Sequence, residues 1–515
     1  MDLSKICARS ARYWPHAIAA KDERFQVSFA QLEARSNRLT HALLALGVQP
    51  GDRVAVQGWN RVEIFELELA CYKGGFIKVP LNARLSPDET IHTLQDADAC
   101  VLVAGQEHAA VVSSRRSELP NLRTLIGFDD AHDALYADVL ANAAETPIAA
   151  DNAPDAVAVL HYTSGSSGVL KAAMQTFGNR KATLLKFLAS PMRRAQPGDV
   201  QAHVGPITHA SGMSLMYLLY CGATSLMIDK FSELKLLQAI QDERVSRLFM
   251  VPTMINRMVN HPKLKDHDLS SLNLVLYGAA PMAPALVEQA ITAFGPILVQ
   301  GYGAGETGSM VTMLTEQDHV DALAHNPKRL SSCGRCYADT DVRIVTPEGK
   351  DIAPGEVGEI TVRGPDVMAG YWRAPELTAQ ALVDGYYLTG DLATVDEEGY
   401  IYIVDRKKEM IITGGFNVYP NEVEAVLYTH PAVFEAAVVG VPDAEWGEAI
   451  KAVVVLKSGH VVEGDELLAH CSSRLAGFKR PRSVDFTNEL PKNPNGKVVR
   501  RLVREPYWAD QARMV

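Results

Sequence analysis

The sequence has no long hydrophobic run, no excess of positive charge, no internal repeat and no low-complexity tract. Each absence removes a class of protein. The uncharged stretch at residues 210–228 approaches the length of a membrane span, but Ser211, Gly212, Ser214, Gly222, Thr224 and Ser225 dilute it. A buried helix over 213–220, a stop at Cys221-Gly222 and a buried strand over 224–228 fit it better, so no transmembrane segment is expected. The first 20 residues carry Lys5, Arg9 and Arg12 without a continuous apolar core, unlike a secretory signal. The formal net charge of -11 excludes a broad phosphate-neutralising surface, so nucleic acid is not an expected partner. Cysteine is sparse: seven residues, an odd number, are scattered over 515 positions, which argues against a disulfide framework and for a reduced, cytoplasmic chain. Cys333 and Cys336 form the one close pair and lack the second pair or histidines that a zinc site needs.

What remains is an ordinary globular composition, 47% hydrophobic and 22% charged, long enough for several lobes. Up to about residue 330, helical and strand-like segments alternate: helical spacing over 29–46 and 64–74, strands over 53–57, 76–79, 156–160 and 247–251. Such alternation predicts an α/β domain with largely parallel sheets. From 331 to 404 short strands separated by Gly and Pro turns predict a β-rich subdomain. The charged knot Asp405-Arg406-Lys407-Lys408-Glu409 marks the main boundary, and a small α+β unit over 409–515 follows.

Four motifs carry chemistry. Tyr162-Thr163-Ser164-Gly165-Ser166-Ser167-Gly168-Val169-Leu170-Lys171 follows a buried strand and has what a phosphate cradle requires: glycines for close approach, N–H and O–H donors, and a cation. Its spacing is not that of a P-loop. Gln300-Gly301-Tyr302-Gly303-Ala304-Gly305-Glu306-Thr307-Gly308 contains a literal Gly-x-Gly-x-x-Gly, but residues 309–314 read as a strand where a dinucleotide fingerprint needs a helix. The alternative gives Tyr302 a flat face for a base or substrate and Glu306 a carboxylate for Mg²⁺ on ATP. Tyr387-Leu388-Thr389-Gly390-Asp391, placed at a turn, offers a carboxylate suited to ribose hydroxyls, with Arg406 beyond it. Leu490-Pro491-Lys492-Asn493-Pro494-Asn495-Gly496-Lys497 ends on a lone lysine.

In this order the motifs resemble the superfamily of acyl-CoA synthetases, peptide-synthetase adenylation domains and luciferases, over nearly the whole chain. The resemblance implies a large N-terminal domain (1–404), a hinge (405–408) and a mobile C-terminal domain (409–515). It implies ATP, Mg²⁺ and coenzyme A as cofactors and a small carboxylic acid as substrate, with a homodimer left open. The acid would become an acyl-adenylate and then a thioester of coenzyme A; enzymes that load a separate carrier protein share the same motifs. By the same likeness Thr163 to Lys171 contacts the β- and γ-phosphates, Gly278, Ala279, Ala280 and Pro281 flank the adenine with Tyr302, Glu306 holds Mg²⁺, and Asp391 and Arg406 bind the ribose. Lys408 is the hinge position, Gly415 lines the pantetheine channel and Lys497 is the catalytic lysine. The acyl pocket falls at His209, Gly212, Met213 and Met216, with Met310 opposite. No Arg or Lys is visible there, which predicts a monocarboxylic fatty or aromatic acid. Two positions depart from the pattern. Leu170-Lys171-Ala172 replaces the usual Pro-Lys-Gly, and Gly305 replaces a threonine whose hydroxyl would meet the α-phosphate, leaving Thr307 as the candidate substitute.

Overall fold

A computed structural model describes residues 2–164, 170–308, 310–493 and 496–509. Two large sheets form the N-terminal body. One has seven strands, in the order Ala134–Leu135, Thr124–Gly127, Val101–Ala104, Arg53–Gly58, Ile77–Asn82, Val157–Ser164 and Leu170–Thr176. Its neighbours run parallel except the last pair, an antiparallel hairpin whose register aligns Thr163 with Lys171. The other sheet has nine strands, with Val200–His203, Arg247–Met250, Leu274–Gly278 and Leu298–Gly303 parallel at its centre. These strands are short apolar runs buried on both faces, as parallel sheets covered by helices require.

Between the sheets lies the helix Val62–Gly74, buried at every position although it carries Glu63, Glu66, Glu68 and Lys73. A buried carboxylate is tolerable only when paired. Glu68 takes Lys78 at 2.6 Å and Arg180 at 3.5 Å, Glu63 takes Arg24 and Arg61 at 2.8 Å, and Lys73 meets Glu33 at 2.7 Å. Capping boxes start the helices at Ser28, Ser86, Thr176 and Thr315, satisfying their first amides. In the uncharged stretch the helix is Leu215–Cys221, Gly222 ends it in the left-handed region, and the strand is Thr224–Met227. Among the described residues no helix is long and apolar enough to cross a membrane.

The β-rich segment is a five-stranded antiparallel sheet built on Asp341–Val345, Gly358–Arg363, Tyr386–Val395 and Ile401–Arg406 with the short Leu382–Val383. One expectation changes here: Asp391 is not on a turn. It lies inside the ten-residue strand Tyr386–Val395, where Gly390, at φ +73°, and a register shift at 392/393 bend the strand and aim the carboxylate. The C-terminal unit carries a second five-stranded sheet, led by the long hairpin Val433–Asp443 with Gly447–Leu456, packed on the helices Pro420–Leu427 and Gly464–Ser472.

Candidate active site

Open α/β sheets place ligands at the carboxyl ends of their strands. Here the ends of Val157–Ser164, Leu274–Gly278 and Leu298–Gly303 face the C-terminal unit across a cleft of about 1800 Å³. Gly165, Ser166, Ser167 and Gly168 lie outside the described residues, as does the side chain of Ser164. Thr163 and Lys171, which flank them, line the cleft. The Thr163 hydroxyl donates to Glu306 Oε1 at 2.8 Å, Tyr371 donates to the same oxygen at 3.2 Å, and the Lys171 ammonium lies 5.5 Å from the Tyr371 ring centre. One carboxylate is therefore fixed by two hydroxyl donors, one of them on the ring that the Lys171 ammonium approaches. A single carboxylate of this kind, completed by substrate phosphates and water, is what Mg²⁺ accepts.

A second chain of contacts starts at Tyr302, whose hydroxyl donates to Asp391 Oδ2 at 2.7 Å. Oδ1 of Asp391 takes Arg406 Nε at 2.9 Å, across a register that pairs the two residues. Ala279, Ala280 and Pro281 line the same end of the cleft. Ala279 turns there at φ +68°, a left-handed conformation uncommon for a non-glycine residue. Gly278 does not line the cleft. A Cβ on it would stand 2.2 Å from the Gly301 carbonyl, so its role is the close approach of the two strands.

Lys497 comes from the opposite side. Its backbone closes a small loop on Asn493, with Asn493 N donating to Lys497 O at 2.8 Å and Lys497 N to Asn493 Oδ1 at 3.0 Å. The side chain is only half-buried by surface but sits deep between the two units, where desolvation, helped by Arg406 and opposed by Asp391, Glu306 and Glu409, pulls its pKa down to about 8. Lys497, Glu306, Asp391 and Arg406 thus converge on one space. Lys408 lies at the cleft margin, exposed, in the turn that follows the strand Ile401–Arg406. Gly415 is exposed between Ile411–Thr413 and Phe416–Val418 and does not line the cleft.

His209, Met213 and Met310 line the inner cleft, whereas Gly212 and Met216 do not. Met216 is 3% exposed in the core of the N-terminal body, and a Cβ at Gly212 would stand 1.9 Å from the Ile207 carbonyl. The reason is local: the residue that joins Met213 on the cleft is Tyr217, four positions on in the helix Leu215–Cys221, while Met216 turns into the core. Arg247, a cation outside the segments read as the acyl pocket, also lines the cleft.

Gly305 has an explanation that sequence reading missed. A Cβ there would stand 2.6 Å from His161 Cδ2 and 2.7 Å from Thr163 Cγ2, so the His161 ring occupies the room a threonine would need. His161 stacks on His209, centroids 4.6 Å apart, and burial pulls both imidazoles well below their usual pKa, His209 to about 4. Both are therefore neutral. Thr307 is no substitute for the missing hydroxyl: it is buried and exchanges hydrogen bonds with Ala304 N and O at 2.9 and 3.1 Å. Gly305→Thr is expected to lower kcat/KM about 10- to 100-fold, the scale of an overpacked core (~1–3 kcal/mol). His161→Ala added to it should recover much of the loss and of the melting temperature. Equal loss in single and double variants would show that the ring is not what excludes the side chain.

Comparison with known proteins agrees with this geometry. Residues 7–372 match the AMP-binding enzyme family and residues 422–497 the AMP-binding enzyme C-terminal domain. A feruloyl-CoA synthase from Amycolatopsis sp is 41% identical over 97% of this chain and 98% of its own length. Two solved structures superpose closely: the ATP-bound MatB from Rhodopseudomonas palustris (TM-score 0.89, 32% identity, 99% of each chain) and an anthranilate CoA ligase with anthranoyl-AMP (TM-score 0.91, 26% identity, 98% of this chain and 97% of that one). With both family models matched in order along the chain and the described motif residues gathered on one cleft, the chain belongs to the AMP-binding enzyme family.

Proposed function

We propose that the protein is an AMP-forming acid–CoA ligase acting on a monocarboxylic, aryl-bearing acid. The observation that carries this reading is the convergence of Lys497, from the C-terminal unit, with Glu306, Asp391 and Arg406 at the strand ends of the N-terminal body. A carboxylate and a triphosphate repel each other, so their reaction needs positive charge fixed where negative charge accumulates. A carboxylate oxygen of the acid attacks the α-phosphorus of ATP, the α–β P–O bond breaks, and pyrophosphate leaves with that electron pair. Lys497 and Lys171 supply cations at the two sides of that centre, and the Asp391–Arg406 pair receives the ribose. Glu306 would hold Mg²⁺, which neutralises phosphate charge when bound.

The second half-reaction joins a thiol to the activated carbonyl. The thiolate adds, the C–O bond to AMP breaks, and the thiol proton is lost to solvent. Lys497 occupies the cleft while Gly415 is outside it, so the arrangement described here suits adenylation. Rotation of the small unit about residues 405–408 would exchange the two faces. The incoming face carries Phe416 and Phe478, both exposed and stacked at 4.9 Å, beside Lys479 and Arg480. Exposed aromatic plates next to cations suit the nucleotide end of coenzyme A, which favours it over a carrier protein. Seven free thiols, six of them buried, fit a reducing compartment such as the cytoplasm.

The aryl preference is supported by Phe187, Tyr217 and Phe249 in the inner cleft, and by the feruloyl-CoA synthase relative. Met213→Trp should shift the acid profile toward smaller acids, by roughly tenfold per displaced methylene or two at about 1 kcal/mol each. Scoring kcat/KM over an acid series checks it, and an unchanged profile would take Met213 out of the pocket. The experiment for the function itself is a panel of aromatic and fatty acids assayed for AMP release with and without coenzyme A. Release that requires both an aromatic acid and coenzyme A supports the reading; none with any acid refutes it.

A further inference from the structure

The inner end of the cleft holds a buried cation that the adenylation chemistry does not use. Arg247 begins the strand Arg247–Met250 in the middle of the nine-stranded sheet, in register with Gln201 on one side and Leu274 on the other. Its side chain is 1% exposed yet lines the cleft. Nη1 donates to the Arg193 carbonyl at 2.8 Å, and Nε is buried with no partner. Among the described residues no carboxylate forms an ion pair with it; Asp199 and Glu316 act only through space, and burial lowers its pKa from the usual arginine value. Around it Gln201 Nε2 donates to Ser214 Oγ at 2.7 Å, and Tyr217 stacks on Phe187 with ring centres 5.5 Å apart. Gln201, Ser214, Tyr217 and Phe187 all line the cleft, as does Phe249, two residues along the same strand from Arg247.

An uncompensated charge in a protein interior is costly, and proteins retain one where a ligand completes it. The surroundings say what kind of ligand. Aromatic walls accept a flat ring, and Arg247 opens its strand, back from the carboxyl ends of the neighbouring parallel strands where Ala279 and Tyr302 line the same cleft. Recognition of a carboxylate by arginine favours a free two-pronged fork. Here Nε is sealed and Nη1 is already committed to a backbone carbonyl, which leaves a geometry suited to a single acceptor oxygen.

We propose that Arg247, with Gln201 beside it, binds an acceptor oxygen, a phenolic hydroxyl or its ether, at the far end of an aromatic acid's ring. This rests on the reading that the cleft activates an aryl acid, and it makes Arg247 a specificity-determining residue of that reaction. A site built to satisfy a polar group discriminates strongly against the analogue that lacks it, because its own buried groups are then left unpaired.

The test compares kcat/KM for para-hydroxycinnamate, its methyl isostere para-methylcinnamate, para-carboxycinnamate and decanoate, in the intact enzyme and in Arg247→Met and Gln201→Leu. The intact enzyme is expected to favour the hydroxy acid over the methyl acid by about 100-fold. In Arg247→Met that ratio should collapse to within about threefold, while the melting temperature holds or rises because an unpaired buried charge has gone. A merely structural arginine would lower the melting temperature and leave the ratio intact. Gln201→Leu should lower the ratio partway. Equal use of hydroxy and methyl acids by the intact enzyme, a preserved ratio in Arg247→Met, or a para-carboxy acid as the best substrate would each overturn the proposal, and the first of these needs no variant. Absence of activity with every acid, decanoate included, would instead remove the ligase reading on which it rests.

Discussion

Lys497→Ala should lose acyl-adenylate formation by a factor of about 100 to 1000, the effect of deleting one preorganised donor from a polar site (~3–4 kcal/mol), and should still convert supplied acyl-adenylate to thioester. The expectation follows from position. Lys497 is carried into the cleft by a short loop closed on Asn493, and it senses Arg406, Asp391 and Glu306 together. The same environment fixes a pH dependence. Desolvation lowers its pKa to about 8, and only the cationic form can stabilise the transferring phosphoryl group. The kcat/KM for adenylation, which reports the free enzyme, is therefore expected to fall as pH rises through about 8, and Lys497→Ala should lack that limb. Rates of the two half-reactions, measured separately in a variant that melts normally, decide the matter. Parallel loss of both would contradict the assignment.

The second large effect concerns rotation. Lys408→Pro should depress thioester formation from isolated adenylate by roughly 100-fold or more, because proline fixes φ near −65° and a hinge needs freedom there. Adenylation should suffer much less. Some loss is expected even so: Glu409 N donates to Arg406 O at 2.9 Å, which makes Lys408 the third residue of a turn where proline is disfavoured. The informative quantity is the ratio of the two rates, with Lys408→Ala as the control for losing the side chain alone. Alanine should leave the ratio near that of the intact enzyme and proline should change it at least tenfold. A ratio unmoved by proline would place the pivot elsewhere in 405–408.

Much of this was legible in the sequence, and the exceptions share a cause. Strands and helices of the N-terminal body could be read because their apolar runs are short and bounded by turn residues. Glu306, Asp391, Arg406 and Lys497 could be singled out because motif order survives without knowing the fold, and the structure brings the four onto one cleft. Arg247 could not be read. It opens Arg247-Leu-Phe-Met250, which reads as a buried strand, and nothing local says that its first side chain reaches a cavity. Met216 was misplaced because helical periodicity allows either three or four residues to the next position on a face, and here it is Tyr217, four after Met213, that lines the cleft. Asp391 was expected on a turn because Thr-Gly-Asp is turn chemistry, and that chemistry appears as a bulge: 389–391 drop out of the ladder with Gly358–Arg363 while Asp391 stays paired with Arg406 on the other side. Gly305 was visible as a departure, but the ring that fills its place comes from His161, distant in sequence and brought close only by the packing of the two sheets.

The central claim is acid activation through an adenylate before thiol transfer. It is tested most directly by exchange of labelled pyrophosphate into ATP in the absence of coenzyme A. The expected result is exchange that requires an aromatic acid and no thiol, followed, on adding coenzyme A, by one AMP and one thioester per acid consumed. Exchange that proceeds without acid, or thioester formed with ADP and phosphate in place of AMP and pyrophosphate, would contradict it.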